Sequence, residues 1–283
     1  MRIFALVFVA LALSLHAEDP AGPGKEPDKE PPAMPDSLVN LEKTFYFAPV
    51  EGLRDLEIKL SGGAFAEIKA KMPGFSAKFF WKAPDKVRVQ VQGIPEKSNV
   101  DSVTLEERLA KELVNAIVKR PVTEQADNFE SVDEEKTDAG TRVRLVHKDK
   151  KQSVVETGYV IGADNALCGM WAVLQNTKTG ELEKYEGKVE TIDMRGKRLL
   201  KRALLTSGDK KYMSVEYEYT EVDGFVLPTR FIQAAAVGAQ ERTFELVLSE
   251  HKVNQSLDDS IFQPAASDGK DDAPKEDGEE KPK

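Results

Sequence analysis

Residues 219–231 read Tyr-Thr-Glu-Val-Asp-Gly-Phe-Val-Leu-Pro-Thr-Arg-Phe, and this one stretch indicates the type of fold. An aromatic segment leads into Asp223-Gly224, and a second apolar segment, Val226 to Phe231, follows the turn. Asp-Gly between two such segments is typical of a tight β-turn, because both residues tolerate the positive φ angles that hairpins require. The stretch therefore predicts two antiparallel strands.

The same arrangement of alternating segments and turn residues continues on both sides. In the first such segment, Leu56, Ile58 and Leu60 alternate with Glu57 and Lys59, so one face of the strand is apolar and the other is charged and faces solvent. Pro73-Gly74, Pro84-Asp85, Ser207-Gly208-Asp209 and similar turn signals separate the segments. Roughly a dozen strands are predicted: Leu56–Leu60, Ala64–Ala70, Phe75–Trp81, Val87–Val91, Phe129–Lys136, Thr141–His147, Val154–Ile161, Leu167–Gln175, Glu181–Ile192, Leu199–Thr206, Tyr212–Thr220, Val226–Ala235 and Arg242–Leu248.

Two segments have helical rather than strand periodicity. Leu38, Leu41 and Phe45 are spaced three and four residues apart and predict a short amphipathic helix. Residues 104–119 carry an apolar residue at every fourth position, and Thr104 with Glu107 forms a candidate capping box. These helices must pack their apolar stripes on the apolar face of the sheet.

A sheet with this many strands must bury its apolar face, either against a second layer or by closing around its own interior. Two helices are too few for a complete second layer, so the sheet is expected to curl over them. The predicted fold class is α+β, mainly antiparallel β, with a strongly curved sheet that forms an incomplete barrel covered or plugged by two or more helices. The predicted domain covers residues 37–264.

The two ends of the chain have a different composition. Residues 1–17 contain Arg2, an apolar run from Ile3 to Leu15 and a small residue at Ala17, which predicts a signal peptide cleaved after Ala17. The run is too short for a comfortable membrane span. The mature chain is therefore expected to be exported, periplasmic or otherwise, without a transmembrane segment.

Residues 18–36 and 265–283 are rich in proline and acidic side chains and offer little to bury, so both are predicted to be disordered tails. They contain most of the net charge of −9. The core consequently has no basic surplus of the kind that nucleic-acid binding demands, and no nucleic-acid partner is expected.

Three segments resemble the LolA/LolB family of exported lipoprotein carriers. Phe80 to Val89 has the family's aromatic strand, Lys-Ala-Pro-Asp-Lys turn and Val-Arg-Val strand; residues 219–231 match its Asp-Gly hairpin; and residues 252–262 match its closing pattern of Asn254, Leu257, Asp258 and Phe262. The resemblance implies a helix-plugged half-barrel that binds acyl chains as a monomer, with membrane-associated donor and acceptor proteins as partners.

Residues that could carry covalent or metal chemistry are few. The mature chain has two histidines, His147 and His251, and neither has a second ligand at metal-motif spacing. The one cysteine, Cys168, excludes an intramolecular disulfide and is expected to be a buried small hydrophobe. No nucleophile motif is present. No metal, cofactor or enzymatic activity is therefore predicted.

The remaining candidates for function are apolar and aromatic. In the predicted strand Leu167–Gln175 either Met170 or Trp171 faces inward, and Trp171 is taken as the lining residue. The predicted cavity-lining set is Phe75, Phe79, Trp81, Val89, Leu109, Leu113, Trp171, Tyr217, Tyr219, Phe231, Phe244 and Leu246. An ordinary packed core is the alternative interpretation of the same residues. Helix 104–119 and the loop from Gly93 to Val100 are the candidate lid.

The leading hypothesis is a soluble, non-catalytic carrier for the acyl chains of a lipoprotein or lipid. A second hypothesis is an envelope interaction or sensor protein that uses the same scaffold to dock a protein. A third is a hydrolase, for which the sequence indicates no nucleophile.

Overall fold

The computed structural model describes residues 30–95, 101–149, 154–176, 179–208, 210–237 and 240–263. The predicted signal peptide (1–17), residues 18–29 of the predicted linker and the predicted tail (265–283) lie outside the described residues. Residues 96–100 of the candidate lid loop do so as well.

The described residues form three α-helices, twelve strands and several short 3₁₀ turns. Most predicted strands are confirmed, with ends that differ by a few residues. The elements are α1 Asp36–Thr44, β1 Asp55–Ser61, α2 Ala66–Lys71, β2 Ser76–Lys82, β3 Lys86–Gln92, α3 Ser102–Ile117, β4 Phe129–Thr137, β5 Gly140–His147, β6 Val154–Ile161, β7 Leu167–Gln175, β8 Leu182–Met194, β9 Lys197–Ser207, β10 Lys210–Val222, β11 Phe225–Val237 and β12 Gln240–Val253.

All twelve strands belong to one sheet, in the order β3-β2-β1-β12-β11-β10-β9-β8-β7-β6-β5-β4. Every described neighbouring pair is antiparallel. The predicted mainly antiparallel α+β class is thus confirmed. Strands β3 and β4 stand at the two ends of the order, so within the described residues the sheet does not close on itself.

Helices α1 and α3 cover the same face of the sheet. Leu38 and Leu41 of α1, and Leu109 and Leu113 of α3, belong to one buried apolar cluster that also contains side chains from the strands. Helix α1 packs near β5 and β6, whereas α3 packs on β3 and β11. The period-2 alternation of the strands supplies this face, because successive side chains point to opposite sides of a sheet.

The closing segment joins the last strand to the first. The side-chain Oδ1 of Asn254 accepts a hydrogen bond from the Arg54 N–H at 2.7 Å. The buried carboxylate of Asp55 accepts from the N–H groups of Gln255 at 2.7 Å and Ser256 at 3.0 Å. The asparagine of the closing pattern therefore has a structural role in this chain: it satisfies backbone donors where β12 ends and β1 begins.

The predicted strand at Ala64–Ala70 is wrong. Residues 63–65 form a 3₁₀ turn and Ala66–Lys71 form α2, in which no residue is buried. Gly62 has a φ of 106° and lies against the backbone of Glu245 and Val247, which directs the chain out of the sheet. The Ala, Glu and Lys residues that follow favour a helix, so their alternation did not indicate a buried face.

Helix 104–119 is confirmed with a shifted start. It begins at Ser102, and Asp101 caps it by accepting from the Val103 N–H at 3.2 Å, so the predicted capping box at Thr104 is wrong. Aspartate is among the best N-cap residues because its oxygen satisfies one of the unpaired N–H groups of the first turn. Helix α1 begins at Asp36, and Met34 packs against the core.

Candidate functional site

Helix α3 crosses the apolar face of the sheet. It packs on β3 and on β11, while β2, β1 and β12 lie between these two strands in the sheet order. Its buried side chains run from its midpoint to its C-terminal end and are Leu109, Leu113, Val114, Ala116 and Ile117. One helix thus contacts two strands that stand four places apart in the sheet order.

Polar contacts attach α3 near both of its ends. Glu106 Oε1 accepts from the Val91 N–H of β3 at 2.8 Å, and the Arg88 guanidinium lies 3.7 Å from Glu106. Two residues beyond the other end, Lys119 Nζ donates to the hydroxyl of Tyr219 in β10 at 3.1 Å. The buried side chains of α3 between these contacts are apolar, and apolar packing is non-directional.

Eleven of the twelve predicted lining residues lie in or against the cluster that α3 covers. Phe79 is fully buried and Tyr219 is partly buried against it. The structure therefore brings together Phe75, Phe79, Trp81, Val89, Leu109, Leu113, Tyr217, Tyr219, Phe231, Phe244 and Leu246.

Four aromatic rings form a row from the end of α3 into this cluster. The ring centroids are 5.8 Å apart between Tyr219 and Tyr217, 5.1 Å between Tyr217 and Phe231, and 6.4 Å between Phe231 and Phe244. The row crosses β10, β11 and β12, which lie side by side. Such pairs contribute about 0.5–1.5 kcal/mol each beyond the area they bury.

Lys119 lies at the outer end of the aromatic row. Its amine is 3.7 Å from the centre of the Tyr217 ring. Burial lowers the pKa of Lys119 to about 7, because the charged ammonium loses its hydration there. Burial also raises the pKa of Tyr217 and of Tyr219, so both hydroxyls are neutral at pH 7.

A concavity of about 20 Å³ opens beside this amine, at the C-terminal end of α3. Its lining combines Lys119, two tyrosines and seven apolar side chains. Tyr46 holds one wall, because its hydroxyl accepts from the Val226 N–H at 2.9 Å. The remaining wall residues are Ala48, Ala116, Ile117, Leu199, Tyr219, Val226, Leu227 and Pro228.

The placement of Trp171 on the inner face is wrong. Met170 belongs to the core cluster, whereas Trp171 points to the opposite face of β7. Its indole Nε1 donates to Glu156 at 2.9 Å, and the Arg142 guanidinium lies 4.6 Å from the ring centre. Trp171 is only 5% exposed because these charged side chains cover it, and it belongs to a separate outer surface.

This outer surface contains a charged concavity of about 350 Å³, formed by β4 to β8. Arg144 bridges Glu156 at 2.6 Å and Asp133 at 3.5 Å. Burial alone would raise the pKa of Glu156, but hydrogen bonds from Arg144 and Trp171 hold it below its ordinary value. Arg144 and Glu156 therefore form an ion pair at neutral pH. Its lining is Asp133, Glu134, Glu135, Arg142, Arg144, Glu156, Trp171 and Lys184.

The predicted burial of Cys168 is also wrong, since its side chain is exposed at the irregularity where β7 begins to pair with β6. His147 is buried in β5, with Nε2 3.2 Å from the Thr157 hydroxyl. His251 lies within β12, with Nε2 2.9 Å from the Pro228 carbonyl oxygen. In the part of the chain that the structure describes, no group of three or more His, Cys, Asp or Glu side chains is placed to hold a metal ion.

The sequence patterns did not single out Lys119, Tyr46 or Arg142. Lys119 follows an amphipathic helix, where a lysine ordinarily projects into water and shows no pattern of burial. The segment after α3 packs against β10, and this contact places Lys119 against Tyr217 and Tyr219. No local pattern in the sequence reveals such a contact.

None of the described helices combines the length and the apolar character needed to cross a bilayer. Comparison with protein-family models, with curated proteins and with solved structures found no match.

Proposed function

We propose that this protein is an exported, non-catalytic carrier that binds the acyl chains of a lipoprotein or lipid between the inner face of the sheet and α3. In this proposal the sheet curves into a half-barrel of the LolA/LolB type, and α3 is its lid. The observation that carries the proposal is the packing of α3 on both β3 and β11, with buried apolar side chains between the polar contacts of Glu106 and Lys119.

The energetics favour such a site. Burying one methylene group is worth about 0.8 kcal/mol, so a chain of about fifteen gains roughly 12 kcal/mol on leaving water. The concavity of about 20 Å³ at the end of α3 is only large enough for about one water molecule. Binding therefore requires α3 to move away from the sheet, and the side chains of Leu109 and Leu113 exchange their contacts for contacts with the cargo.

A cross-linking experiment tests this movement. In a Cys168→Ala background, Arg88→Cys and Glu106→Cys place two thiols where a side-chain pair now joins β3 to α3. A flexible bismaleimide then ties the helix to the sheet. We expect the linked protein to lose binding of a dansyl-labelled fatty acid, while the same double variant before linking retains it.

A matched control joins α1 to β4. Ser37 Oγ donates to Glu134 Oε2 at 2.6 Å, so Ser37→Cys with Glu134→Cys accepts the same reagent. This link is expected to leave binding unchanged. Equal binding by the protein linked at α3 would contradict the role of α3 as the lid. The carrier function itself would be contradicted if the protein, purified from native cell envelopes, contained no lipid and did not bind the dansyl-labelled fatty acid.

The outer concavity supports a second candidate, docking of a protein partner. Tryptophan and arginine are the residues most enriched at the centres of protein interfaces, and Arg142 lies over Trp171 there. A photo-reactive side chain at Lys184 should then cross-link one partner in native envelopes, and Arg142→Glu should abolish that product. Persistence of the product in the Arg142→Glu variant would reject this candidate.

A further inference from the structure

Lys119 has no partner of opposite charge in the described part of the chain. Its polar contact there is the Tyr219 hydroxyl at 3.1 Å, and its amine faces the Tyr217 ring at 3.7 Å. Tyr219 in turn donates its hydroxyl hydrogen to the Leu200 carbonyl oxygen at 2.7 Å. A ring face stabilises a cation more weakly than a carboxylate does. The position of Lys119 is therefore suited to a negative group that comes from outside the chain.

The surroundings of the amine also limit the shape of that group. An ammonium carries three N–H donors, and one of them is used by Tyr219. Tyr46 also lines the concavity, and its hydroxyl accepts from the Val226 N–H; a hydroxyl that accepts can still donate its own hydrogen. The amine and this hydroxyl can together hold the oxygens of a small anion.

The apolar part of the site indicates what the anion is attached to. Seven of the ten residues that line the concavity are aliphatic, which a free inorganic ion would not require. From Lys119 the aromatic row of Tyr219, Tyr217, Phe231 and Phe244 continues beneath α3. The amine thus lies where a polar headgroup would remain if an acyl chain followed that row inward.

We propose that Lys119, with Tyr46, binds the carboxylate or phosphate headgroup of an anionic amphiphile whose acyl chain lies beneath α3. This inference rests on the carrier function proposed above and adds the chemical class of the cargo. Protonated Lys119 forms charge-assisted hydrogen bonds to the headgroup, and the Tyr217 ring supports the ammonium from its other side. No covalent bond is formed.

The test measures the affinity of the full mature chain for three amphiphiles with the same acyl chain: a fatty acid, a monoalkyl phosphate and a neutral monoacylglycerol. A charge-assisted hydrogen bond is worth about 10- to 100-fold in affinity. We expect Lys119→Met to weaken binding of at least one anionic amphiphile by about that factor and to leave the monoacylglycerol unchanged. Whichever anionic amphiphile is affected more identifies the headgroup as carboxylate or phosphate.

Two further variants serve as controls. Lys119→Arg keeps the charge and should retain most of the affinity. Lys111→Met removes an exposed lysine of the same helix and should change nothing. Inorganic phosphate alone is included as a competitor, and it should compete only weakly; strong competition, with a monoacylglycerol that does not bind, would show a free-anion site and overturn the proposal.

The outcomes separate this inference from the carrier function. If the wild-type protein binds all three amphiphiles equally and Lys119→Met alters none of them, the headgroup site is wrong and the carrier function stands. If the wild-type protein binds no amphiphile, both are wrong.

Discussion

The indole ring of Trp171 lies over Gly158, its cross-strand neighbour in β6. A Cβ atom at position 158 would collide with the six-membered part of that ring, so the absence of a side chain there creates the space in which the indole rests. The ring then holds Glu156 through its Nε1, and Arg142 covers it. The charged concavity of the outer face therefore depends on one glycine.

Gly158→Ala should disturb this surface. Because the added methyl group meets the ring and not a flexible chain end, we expect a loss of about 1–3 kcal/mol in the free energy of unfolding. Urea denaturation measures this, and the indole N–H resonance of Trp171 should shift. Gly169→Ala in β7 is the matched control, since its Cβ would make only ordinary contacts. An unshifted indole resonance in Gly158→Ala would contradict the packing described.

The sequence predicted the strands well because their signals are local. The Asp223-Gly224 turn and the flanking alternation need no knowledge of distant contacts, and β10 and β11 follow them. Trp171 was misplaced because Met170, Trp171 and Ala172 are all buried, on two different faces. Alternation decides nothing where both faces are covered, and only the space over Gly158 shows where the ring lies.

The candidate site was predicted only in part. Its apolar residues follow from strand periodicity, whereas the burial of Lys119 depends on tertiary packing against Tyr217 and Tyr219. Exposure of Cys168 likewise accompanies the register shift between β6 and β7, which no local pattern reveals. Such features require the order of strands in the sheet, which pairs β1 with β12 across nearly the whole domain.

Glu42 should be a critical link between α1 and the segment after α3. Its buried carboxylate accepts from the N–H of Val122 and from both the N–H and the hydroxyl of Thr123. Glu42→Leu leaves these donors unpaired and should cost about 2–4 kcal/mol in unfolding experiments. Glu42→Gln keeps an acceptor oxygen and should cost less than about 1 kcal/mol at pH 7.

The difference between wild type and Glu42→Gln should depend on pH. Burial raises the pKa of Glu42 in the folded state despite its hydrogen bonds. The folded protein then holds this proton more tightly than the unfolded chain, so the contribution is complete below about pH 4.5 and is lost as the pH rises through the folded pKa. The wild-type advantage should therefore shrink as the pH rises from 4 to 7, and an advantage that grows would contradict this.

Asn254 should stabilise the junction of β12 and β1 in two separable ways. Its side chain accepts from the Arg54 N–H, and its backbone has a φ of 52°, which alanine tolerates poorly. Asn254→Gly removes only the side-chain bonds and should cost about 1 kcal/mol, whereas Asn254→Ala should cost about 2 kcal/mol. Urea denaturation of both variants checks this, and equal losses would mean that the backbone conformation contributes nothing.

Tyr159 should tolerate loss of its hydroxyl group. The side chain is completely buried, and its hydroxyl has no hydrogen-bond partner among the described residues. Burial, followed by the charge of Glu42, raises its pKa well above the ordinary value. Tyr159→Phe should leave the free energy of unfolding unchanged or raise it by up to about 1 kcal/mol. Tyr46→Phe is the control: it leaves the buried Val226 N–H without an acceptor and should lower the free energy of unfolding by about 1–2 kcal/mol. A similar loss for Tyr159→Phe would show that a bound water satisfies the Tyr159 hydroxyl.

Lys119 should make the protein more stable as the pH rises above 7. Its pKa is lowered to about 7 in the folded state, whereas the unfolded chain keeps the ordinary value of 10.5. Between these values the unfolded state binds more protons, so the free energy of unfolding increases with pH, by at most about 1.4 kcal/mol per unit. Below pH 7 both states carry the proton and this contribution is constant.

Lys119→Met isolates this effect from every other titrating group. Methionine fills the same space without an ionisable amine, so the difference in unfolding free energy between wild type and variant should change in favour of the wild type from pH 7 to pH 9.5. An anionic amphiphile should oppose this trend, because the headgroup stabilises the protonated amine. If the difference stays constant across that range, the amine remains protonated in the folded protein, and its place against Tyr217 is more accessible to water than the structure shows.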